Sequence, residues 1–407
     1  MSSKEKKRAF PKLRFPEFRD AGPWEVKRLR EVFRFKQGVQ VPIEKQSNKK
    51  EPGMVRFIRI VDLTQKGEPW RFIANPGNEY IVKSDDLFMI RYGTPGVIAI
   101  GYEGAIANNL FRLIWKGTEN FHPKFWFYIF NRLEKTIFNL SCSSSMPAIK
   151  FPVLYEVSVR IPKSPEQQKI ADCLSSLDKL IELQTKKLKA LEDYKKGLMQ
   201  KLFPSEGETT PRLRFPEFRD APEWEVKRLG DIGPVLMCKR ILKKQTSEVG
   251  EIPFYKIGTF GKKPDAYISK ELYEKYKETY PFPRKGEILI SASGTIGRTV
   301  VYDGKPAYFQ DSNILWIAND ENIVLNIFLN YCYKRIKWQT DNNTIARLYN
   351  DNLKRMKIVI PSIPEQQKIA DCLSSLDKLI ELQTKKLEAL KNHKKGLMQK
   401  LFPQEVG

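Results

Sequence analysis

Two turns with the pattern Gly-Thr-x-Gly, at residues 93–96 and 294–297, occur with polar loops rich in hydrogen-bond donors. Asparagine can read adenine, serine can contact base edges, and arginine or lysine can bind guanine or phosphate. Each such residue alone is more often a solvated loop residue, so the prediction depends on their joint arrangement. The predicted DNA-binding residues are Arg59, Arg91, Gly93, Thr94, Asn109, Ser143, Ser144, Ser145, Lys256, Lys262, Lys263, Ser293, Thr295, Arg298, Asn313 and Arg347.

The charge balance also favours a polyanionic partner. The 407 residues include 71 Lys and Arg against 48 Asp and Glu, a formal net charge of +23. Nucleic acid is the first candidate for such a chain and an anionic membrane surface the second.

Other chemistries have little support in the sequence. Two histidines and five scattered cysteines, with no C-x-x-C or H-E-x-x-H pattern, predict no metal site and no histidine-based catalysis. Asp85 and Asp86 could hold a metal in a DNA-cutting enzyme, but no PD-(D/E)xK-like spacing accompanies them. Because the first residues are charged and no long apolar run occurs, we expect neither export nor membrane spanning, and predict a cytoplasmic protein with reduced cysteines.

An internal repeat organises the chain. PKLRFPEFRD at residues 11–20 recurs as PRLRFPEFRD at 211–220, and both copies continue to WEVKRL. Residues 165–204 recur at 364–403 with only four differences, whereas residues 30–160 and 230–359 share almost nothing beyond the Gly-Thr-x-Gly turn. We predict four segments: residues 1–160, 161–204, 205–359 and 360–407.

The repeated segments after residues 160 and 359 have the pattern of long helices. Apolar residues recur at alternating steps of three and four, which indicates helices packed along a seam. About 39 helical residues would span about 58 Å. Ser164 and Gln167 form a predicted capping box, and Gly197 and Gly396 are possible earlier ends. An intramolecular antiparallel pair is favoured over a coiled coil between two chains.

The unlike segments have the pattern of mixed α/β domains. Short β-rich runs are predicted at residues 55–61, 87–90, 96–100 and 110–115, and at 252–257, 287–290, 299–302 and 313–317. Helices are predicted at residues 123–138 and 323–337. The expected fold is therefore α/β (α+β), with two globular domains that have curved sheets, separated by the two long helices.

The complete pattern resembles the specificity (S) subunit of type I restriction-modification systems. The resemblance depends on PEQQKIADCLSSLDKLIELQTKKL with KKGLMQKLF, found twice, and on GTIG followed by DSN, and it covers nearly the whole chain. It implies two target recognition domains, each of which reads one half of an asymmetric bipartite site in double-stranded DNA. The helices would set the spacer.

The resemblance also implies partners and no catalysis in this chain. Two methyltransferase subunits would bind and motor-nuclease subunits would join them, so S-adenosylmethionine, ATP and Mg²⁺ are expected on partner subunits. Since two equal partners require repeated surfaces, the predicted partner-binding residues are Phe15, Phe18, Trp24, Phe215, Phe218, Trp224, Gln168 and Gln367. The alternatives are a DNA-modifying enzyme and a basic adaptor that binds DNA without sequence preference.

Overall fold

The computed structural model describes residues 10–65, 67–117, 121–141, 147–310, 313–338, 348 and 350–404. The chain divides into two compact units. Unit 1 combines residues 1–186 with 384–407, and unit 2 contains residues 187–383. The long helices therefore each contribute one part to unit 1 and the other part to unit 2. No helix within the described ranges is long and apolar enough to span a membrane.

The described residues of unit 1 form ten strands and the helices that flank them. The strands are β1 (Glu25–Arg28), β2 (Phe33–Gln37), β3 (Met54–Ile58), β4 (Arg71–Ala74), β5 (Ile81–Val82), β6 (Leu87–Ile90), β7 (Ile98–Ala99), β8 (Gly104–Ile106), β9 (Leu110–Trp115) and β10 (Ser158–Ile161). The helices are α1 (Leu29–Val32), α2 (Ile60–Thr64), α3 (Pro123–Asn139), α4 (Phe151–Tyr155) and the long helix α5 (Ser164–Leu202), whose second part belongs to unit 2.

Where the structure describes unit 1, its strands form three sheets, in the orders β1-β10, β2-β9-β6-β7 and β4-β3-β8-β5. Alternation along β6 explains how the second sheet separates two cores, because successive side chains point to opposite faces. Leu87 and Met89 pack in the core that contains α3, while Phe88 and Ile90 pack in a smaller core with β8. All four β6 residues are buried, so this sheet is covered on both faces.

Unit 2 repeats this plan, but its third sheet has three strands among the described residues where that of unit 1 has four. The strands are β11 (Glu225–Arg228), β12 (Val235–Leu236), β13 (Ile252–Tyr255), β14 (Tyr267–Ile268), β15 (Ile288–Ser291), β16 (Thr299–Val301), β17 (Tyr308–Phe309), β18 (Ile314–Ile317) and β19 (Lys357–Ile360). The helices are α6 (Leu229–Ile232), α7 (Lys270–Thr279), α8 (Asn326–Tyr333), α9 (Asn350–Arg355) and α10 (Ile363–Lys400), whose second part belongs to unit 1. The sheet orders are β11-β19, β12-β18-β15-β16 and β14-β13-β17.

Within each unit, parts of the two long helices pack antiparallel. In unit 1, residues 170–174 of α5 share a core with residues 397–402, and Asp178 pairs with Lys394. In unit 2, residues 369–373 of α10 share a core with residues 198–203, and Asp377 pairs with Lys195. The predicted fold class, two sheet-rich domains with an antiparallel pair of long helices, is confirmed.

The end of each long helix anchors it in a core. Phe402 lies against Trp24 and Phe125 in unit 1, with ring centroids 6.0 and 5.9 Å away. Phe203 lies against Trp224 and Phe328 in unit 2, at 5.9 and 5.3 Å. The repeated Leu-Phe-Pro sequence therefore ends each helix by burying a phenylalanine in the core of its unit.

Several sequence predictions were wrong in detail. The strand predicted at residues 55–61 ends at Ile58 and is followed by a short helix. That helix begins there because the Asp62 side chain accepts a hydrogen bond from the backbone of its N-cap residue, Arg59. The helix predicted at 323–337 covers only Asn326–Tyr333. The predicted capping box does not form, since the side-chain oxygen of Gln167 has no hydrogen-bond partner among the described residues and its Nε2 donates to the Pro162 carbonyl. Both long helices continue past Gly197 and Gly396.

Candidate nucleic-acid interface

The Gly-Thr-x-Gly turn of unit 1 connects β6 to β7 and requires its glycines. Gly93 and Gly96 have φ of 82° and 101°, in the region that favours glycine. A Cβ on Gly96 would lie 2.8 Å from the Glu134 carbonyl oxygen. The amide of Gly93 donates to the Pro147 carbonyl at 2.8 Å, which ties the turn to the loop that returns from α3.

Three chain segments meet beside this turn. The Arg91 amide donates to the Asn109 carbonyl at 2.9 Å, and the Ile149 amide donates to the Arg91 carbonyl at 3.1 Å. The turn, the Asn109 turn before β9 and the returning loop therefore form one edge, which we call reading edge 1. It brings together Arg91, Gly93, Thr94 and Asn109, four of the predicted residues.

Unit 2 has an equivalent edge, reading edge 2. The Ala292 amide donates to the Asn313 carbonyl at 2.8 Å, and the Leu348 amide donates to the Ala292 carbonyl at 2.8 Å. Gly297 has φ of 78°, and a Cβ there would lie 2.1 Å from the Trp338 ring. The Ser293 hydroxyl donates to the Asn313 side-chain oxygen at 2.8 Å, so these two predicted residues are brought together.

The hydrogen bonds match residue by residue, whereas the side chains differ. Arg91 of reading edge 1 corresponds to Ala292, and the strand residue Gln37 corresponds to Met237. The asparagines Asn109 and Asn313 are the same in both. The two edges thus share a backbone framework and present different chemical groups.

A second basic position follows β3 in unit 1 and β13 in unit 2. The Arg59 amide donates to the Asp62 carboxylate at 2.8 Å, and the Lys256 amide donates to the Thr259 hydroxyl at 3.1 Å. Both side chains are paired with acids. Arg59 contacts Asp62 at 3.1 Å and is 20% exposed, and Lys256 contacts Asp265 at 2.9 Å. Their charges are therefore partly neutralised within the units.

The remaining predicted residues have mixed placements. Lys262 and Lys263 are exposed on the loop after Phe260, and Thr94 and Thr295 are exposed at the turn tips. The Arg298 guanidinium donates to the Phe260 carbonyl at 2.8 Å, which holds that loop beside reading edge 2. Ser143, Ser144, Ser145 and Arg347 lie outside the described residues.

The repeated segment is anchored by a buried ion pair in each unit. Arg14 donates twice to the Glu166 carboxylate, at 2.8 and 2.7 Å, and Arg214 does the same to Glu365 at 2.8 and 2.7 Å. The carboxylate side chains are only 3% and 1% exposed. This pair fixes the LRFPEF sequence against the start of the long helix.

Two of the predicted partner residues are too deeply buried to contact a partner. Trp24 and Trp224 are 3% and 2% exposed, because their rings fill the core beside the anchoring phenylalanines. Phe15, Phe18, Phe215 and Phe218 are half-buried. Gln168 and Gln367 are exposed and donate to Asp172 and Asp371, both at 2.8 Å.

Sequence reasoning missed exposed apolar residues that occur in both copies of the repeat. Leu13 and Leu213 are 42% and 43% exposed, and Val26 and Val226 are 40% and 50% exposed. The signal was present, because both lie in the repeated sequence and alternate with polar neighbours. We call Leu13, Phe18 and Val26, with Leu213, Phe218 and Val226, the repeated apolar residues.

In each unit a tyrosine of the sheet domain donates a hydrogen bond to an aspartate of a long helix, and a lysine of the other long helix pairs with the same aspartate. The Tyr128 hydroxyl donates to Asp178 at 2.6 Å, and Tyr331 donates to Asp377 at 2.7 Å. Burial, and then these hydrogen bonds, raise the pKa of both tyrosines. Burial alone would raise the pKa of Asp377, but hydrogen bonds from Lys195 and Tyr331 lower it overall.

Comparison with known proteins identifies the family. Residues 22–193 and 222–392 match the type I restriction modification DNA specificity domain. The chain belongs to this family. It is a type I restriction-modification specificity subunit with two DNA specificity domains, and the resemblance seen in its sequence is confirmed.

Relatives of this specificity subunit differ in how much they share with it. A putative type I restriction enzyme specificity subunit of Haemophilus influenzae is 62% identical over 156 residues, which cover 38% of this chain and 40% of that protein. The type I restriction enzyme MjaVIII specificity subunit of Methanocaldococcus jannaschii is 23% identical over 412 residues, covering 97% of this chain and 94% of that one.

Solved structures share the fold. The crystal structure of a type I restriction-modification S subunit from M. genitalium matches with a TM-score of 0.66 at 18% identity, covering 97% of this chain and all of that one. A structure from a study of complex assembly and conformational transition of the type I R-M system matches with a TM-score of 0.53 at 18% identity, covering 94% and 98%.

Proposed function

We propose that reading edges 1 and 2 each read one half of an asymmetric bipartite site in double-stranded DNA, with α5 and α10 setting the spacer. The observation that carries this is the shared backbone framework with unlike side chains. A common framework gives both domains the same approach to a duplex, while Arg91 and Gln37 against Ala292 and Met237 give them different hydrogen-bonding groups.

Charge supports contact with the DNA backbone in both units. Lys262 and Lys263 are exposed next to reading edge 2, and the chain as a whole has a net charge of +23. Such contacts orient a protein on the duplex without reading bases. Affinity for any duplex should therefore fall as salt rises, while the preference for a site should remain.

Two methyltransferase subunits would dock on the parts that the chain contains twice. The repeated apolar residues and the exposed helix residues Gln168 and Gln367 are chemically identical in both units, as two equal partners require. Motor-nuclease subunits would join that complex. Trp24 and Trp224 shape this surface from beneath.

Catalysis belongs to those partners in this proposal, so the chain itself is a non-catalytic recognition subunit. Its sequence has no G-x-x-x-x-G-K-[ST] run for ATP and no NPPY-like or DPPY-like methyltransferase run. S-adenosylmethionine, ATP and Mg²⁺ are therefore assigned to the partner subunits.

Methylation sequencing tests the proposal. Cells that express this chain with its methyltransferase subunits should carry adenine methylation at a two-part motif that disappears when this gene is deleted. An unchanged methylome would contradict the proposal. Binding that falls with salt but shows no preference among duplexes would instead identify a basic adaptor without sequence specificity.

A further inference from the structure

We infer that unit 1 reads a guanine through Arg91, and that Gln37 is a positioning residue that holds the Arg91 guanidinium for this contact. The inference rests on the proposed function, in which reading edge 1 contacts one half-site, and it names the base and the residues involved. Gln37 was not among the residues predicted from the sequence.

The Arg91 side chain is held in one orientation. Its Nε donates to the Ile149 carbonyl at 3.3 Å, and its Nη1 donates to the Gln37 side-chain oxygen. The guanidinium also lies over the Phe151 ring at 4.7 Å and the Tyr92 ring at 5.0 Å. Two hydrogen bonds and two ring contacts fix the guanidinium plane in advance of DNA binding, which lowers the entropic cost of that binding.

Gln37 is itself fixed on both sides. Its Nε2 donates to the Asn108 carbonyl at 2.7 Å, so its oxygen faces Arg91. Its backbone is registered opposite Phe111 in the β2–β9 pair. The next residue, Gly38, packs against the end of β8. A Cβ on Gly38 would lie 2.3 Å from the Ala107 carbonyl oxygen. The sheet therefore fixes the Gln37 backbone, and the hydrogen bond to Asn108 orients its side-chain amide.

Arg91 differs from Arg59 and Arg112 of this sheet domain in its lack of an acidic partner. Arg59 pairs with Asp62, and Arg112 pairs with Asp86 at 2.8 Å. Among the described residues, Arg91 has no carboxylate within ion-pair distance, and its Nη2 has no hydrogen-bond partner. A fixed, half-buried cation is thus left with free donors at a reading edge.

The free donors match guanine. The Nη2 group has two N–H bonds and Nη1 has one more, which form the fork that binds O6 and N7 of guanine in the major groove. Arginine binds phosphate through the same fork, so loss of discrimination at one base position, and not loss of affinity alone, distinguishes a guanine contact from a phosphate contact. Unit 2 has Ala292 and Met237 at the matching positions, so this contact is specific to unit 1.

The test uses the complete complex with its methyltransferase subunits and two libraries of sites, each with a different half randomised. Arg91→Lys keeps the charge but loses the fork, so it should reduce discrimination at one G·C position of one half-site on the order of 10- to 100-fold. Gln37→Met introduces the residue type that unit 2 has at the matching position. It should reduce discrimination at the same G·C position by a smaller factor than Arg91→Lys does. Gln37→Glu retains an acceptor for Nη1, so its discrimination at this position should lie between that of Gln37→Met and that of the native chain.

The other half-site is an internal control for folding, because its preference should be identical in all variants. Uniform loss of methylation over every sequence would show that Arg91 binds phosphate, and would overturn the inference, as would an unchanged motif in Arg91→Lys. A wild-type complex that methylates no two-part site would overturn the proposed function first, and this inference with it.

Discussion

The two units have the same residues at the anchor but different side chains at the reading edge. At the anchor, Arg14–Glu166 and Arg214–Glu365 match in residue type and in distance. At the reading edge the backbone hydrogen bonds match while Arg91 is replaced by Ala292. This contrast indicates that backbone hydrogen bonds maintain the edge, so its side chains can change the sequence that is read without loss of the fold.

The largest expected effect is the loss of stability when one of the two buried ion pairs is broken, and it tests whether the anchors are equivalent. Glu166→Ala and Glu365→Ala each leave a buried arginine unpaired, which should destabilise the affected unit by about 3–5 kcal/mol. Glu166 also accepts from the Trp24 indole at 3.3 Å, whereas the Trp224 indole nitrogen has no partner within the described part of the chain. Glu166→Ala should therefore cost about 1 kcal/mol more than Glu365→Ala.

Hydrogen exchange resolved by peptide in each unit measures both losses. Arg14→Ala and Arg214→Ala are matched controls that remove the other partner of each pair. Equal costs for Glu166→Ala and Glu365→Ala would contradict a role for the Trp24 contact.

The turn glycines test whether the edges share one framework. Gly96→Ala and Gly297→Ala place a Cβ at positive φ and against a neighbour, so each should cost about 2–4 kcal/mol. A Cβ on Gly93 would have open space and one on Gly294 would meet only the Ile257 side chain at 3.9 Å, so Gly93→Ala and Gly294→Ala should each cost only about 1–2 kcal/mol for the backbone strain. Thermal unfolding of the four variants should give two matched pairs, and any other grouping would argue against equivalent turns.

The repeated apolar residues test the symmetry of partner binding. Val26→Asp and Val226→Asp should each weaken binding of one methyltransferase subunit about tenfold and leave the other subunit bound. Val249→Asp changes an 85% exposed valine outside the repeat and is the control. Native mass spectrometry of the assembled complex counts the bound subunits, and loss from Val249→Asp, or from neither repeated position, would refute the assignment.

The smallest expected effect is a change in the stability of unit 2 at low pH. The lowered pKa of Asp377 contributes stability above the unfolded value of about 3.9, and this stability is lost as pH falls through the folded-state pKa. Because the side chain is 39% exposed, we expect about 1 kcal/mol or less. Unit 2 should therefore lose more stability below about pH 4 in the native chain than in Asp377→Asn.

Unfolding of the two proteins over a pH series measures this difference. Lys334 adds positive charge near Asp377, and Asn131 stands at the matching place in unit 1. Lys334→Asn should consequently reduce the pH dependence of unit 2. Identical acid sensitivity in all three proteins would contradict the stated cause.

Patterns local in sequence predicted much of the fold. The apolar run of β6, the 110–115 strand and the helix from Pro123 were correct because short-range periodicity determines them. The long helices followed from the spacing of their apolar residues. The repeat indicated which parts of the two units are alike, because nearly identical sequences in equivalent surroundings fold in the same way.

Contacts distant in sequence could not be predicted. Trp24 looks like a surface residue in a repeated motif, yet it is buried by phenylalanines from α3 and from the end of the chain. The Gln37–Arg91 contact joins residues 54 positions apart and depends on the register of β2, β9 and β6. The cap that Arg59 forms with Asp62 could not be predicted either, because it depends on a short helix within a run of β-forming residues.

The most direct measurement of the central claim is the methylated motif of a chain in which residues 230–359 are replaced by a second copy of residues 30–160. The flanking repeats join both segments in the same way, so the chain should assemble with its methyltransferase subunits. We predict methylation at a motif whose two halves have the same sequence, that of the native first half-site. A motif that keeps two unlike halves would contradict the claim that these segments contain the sequence information.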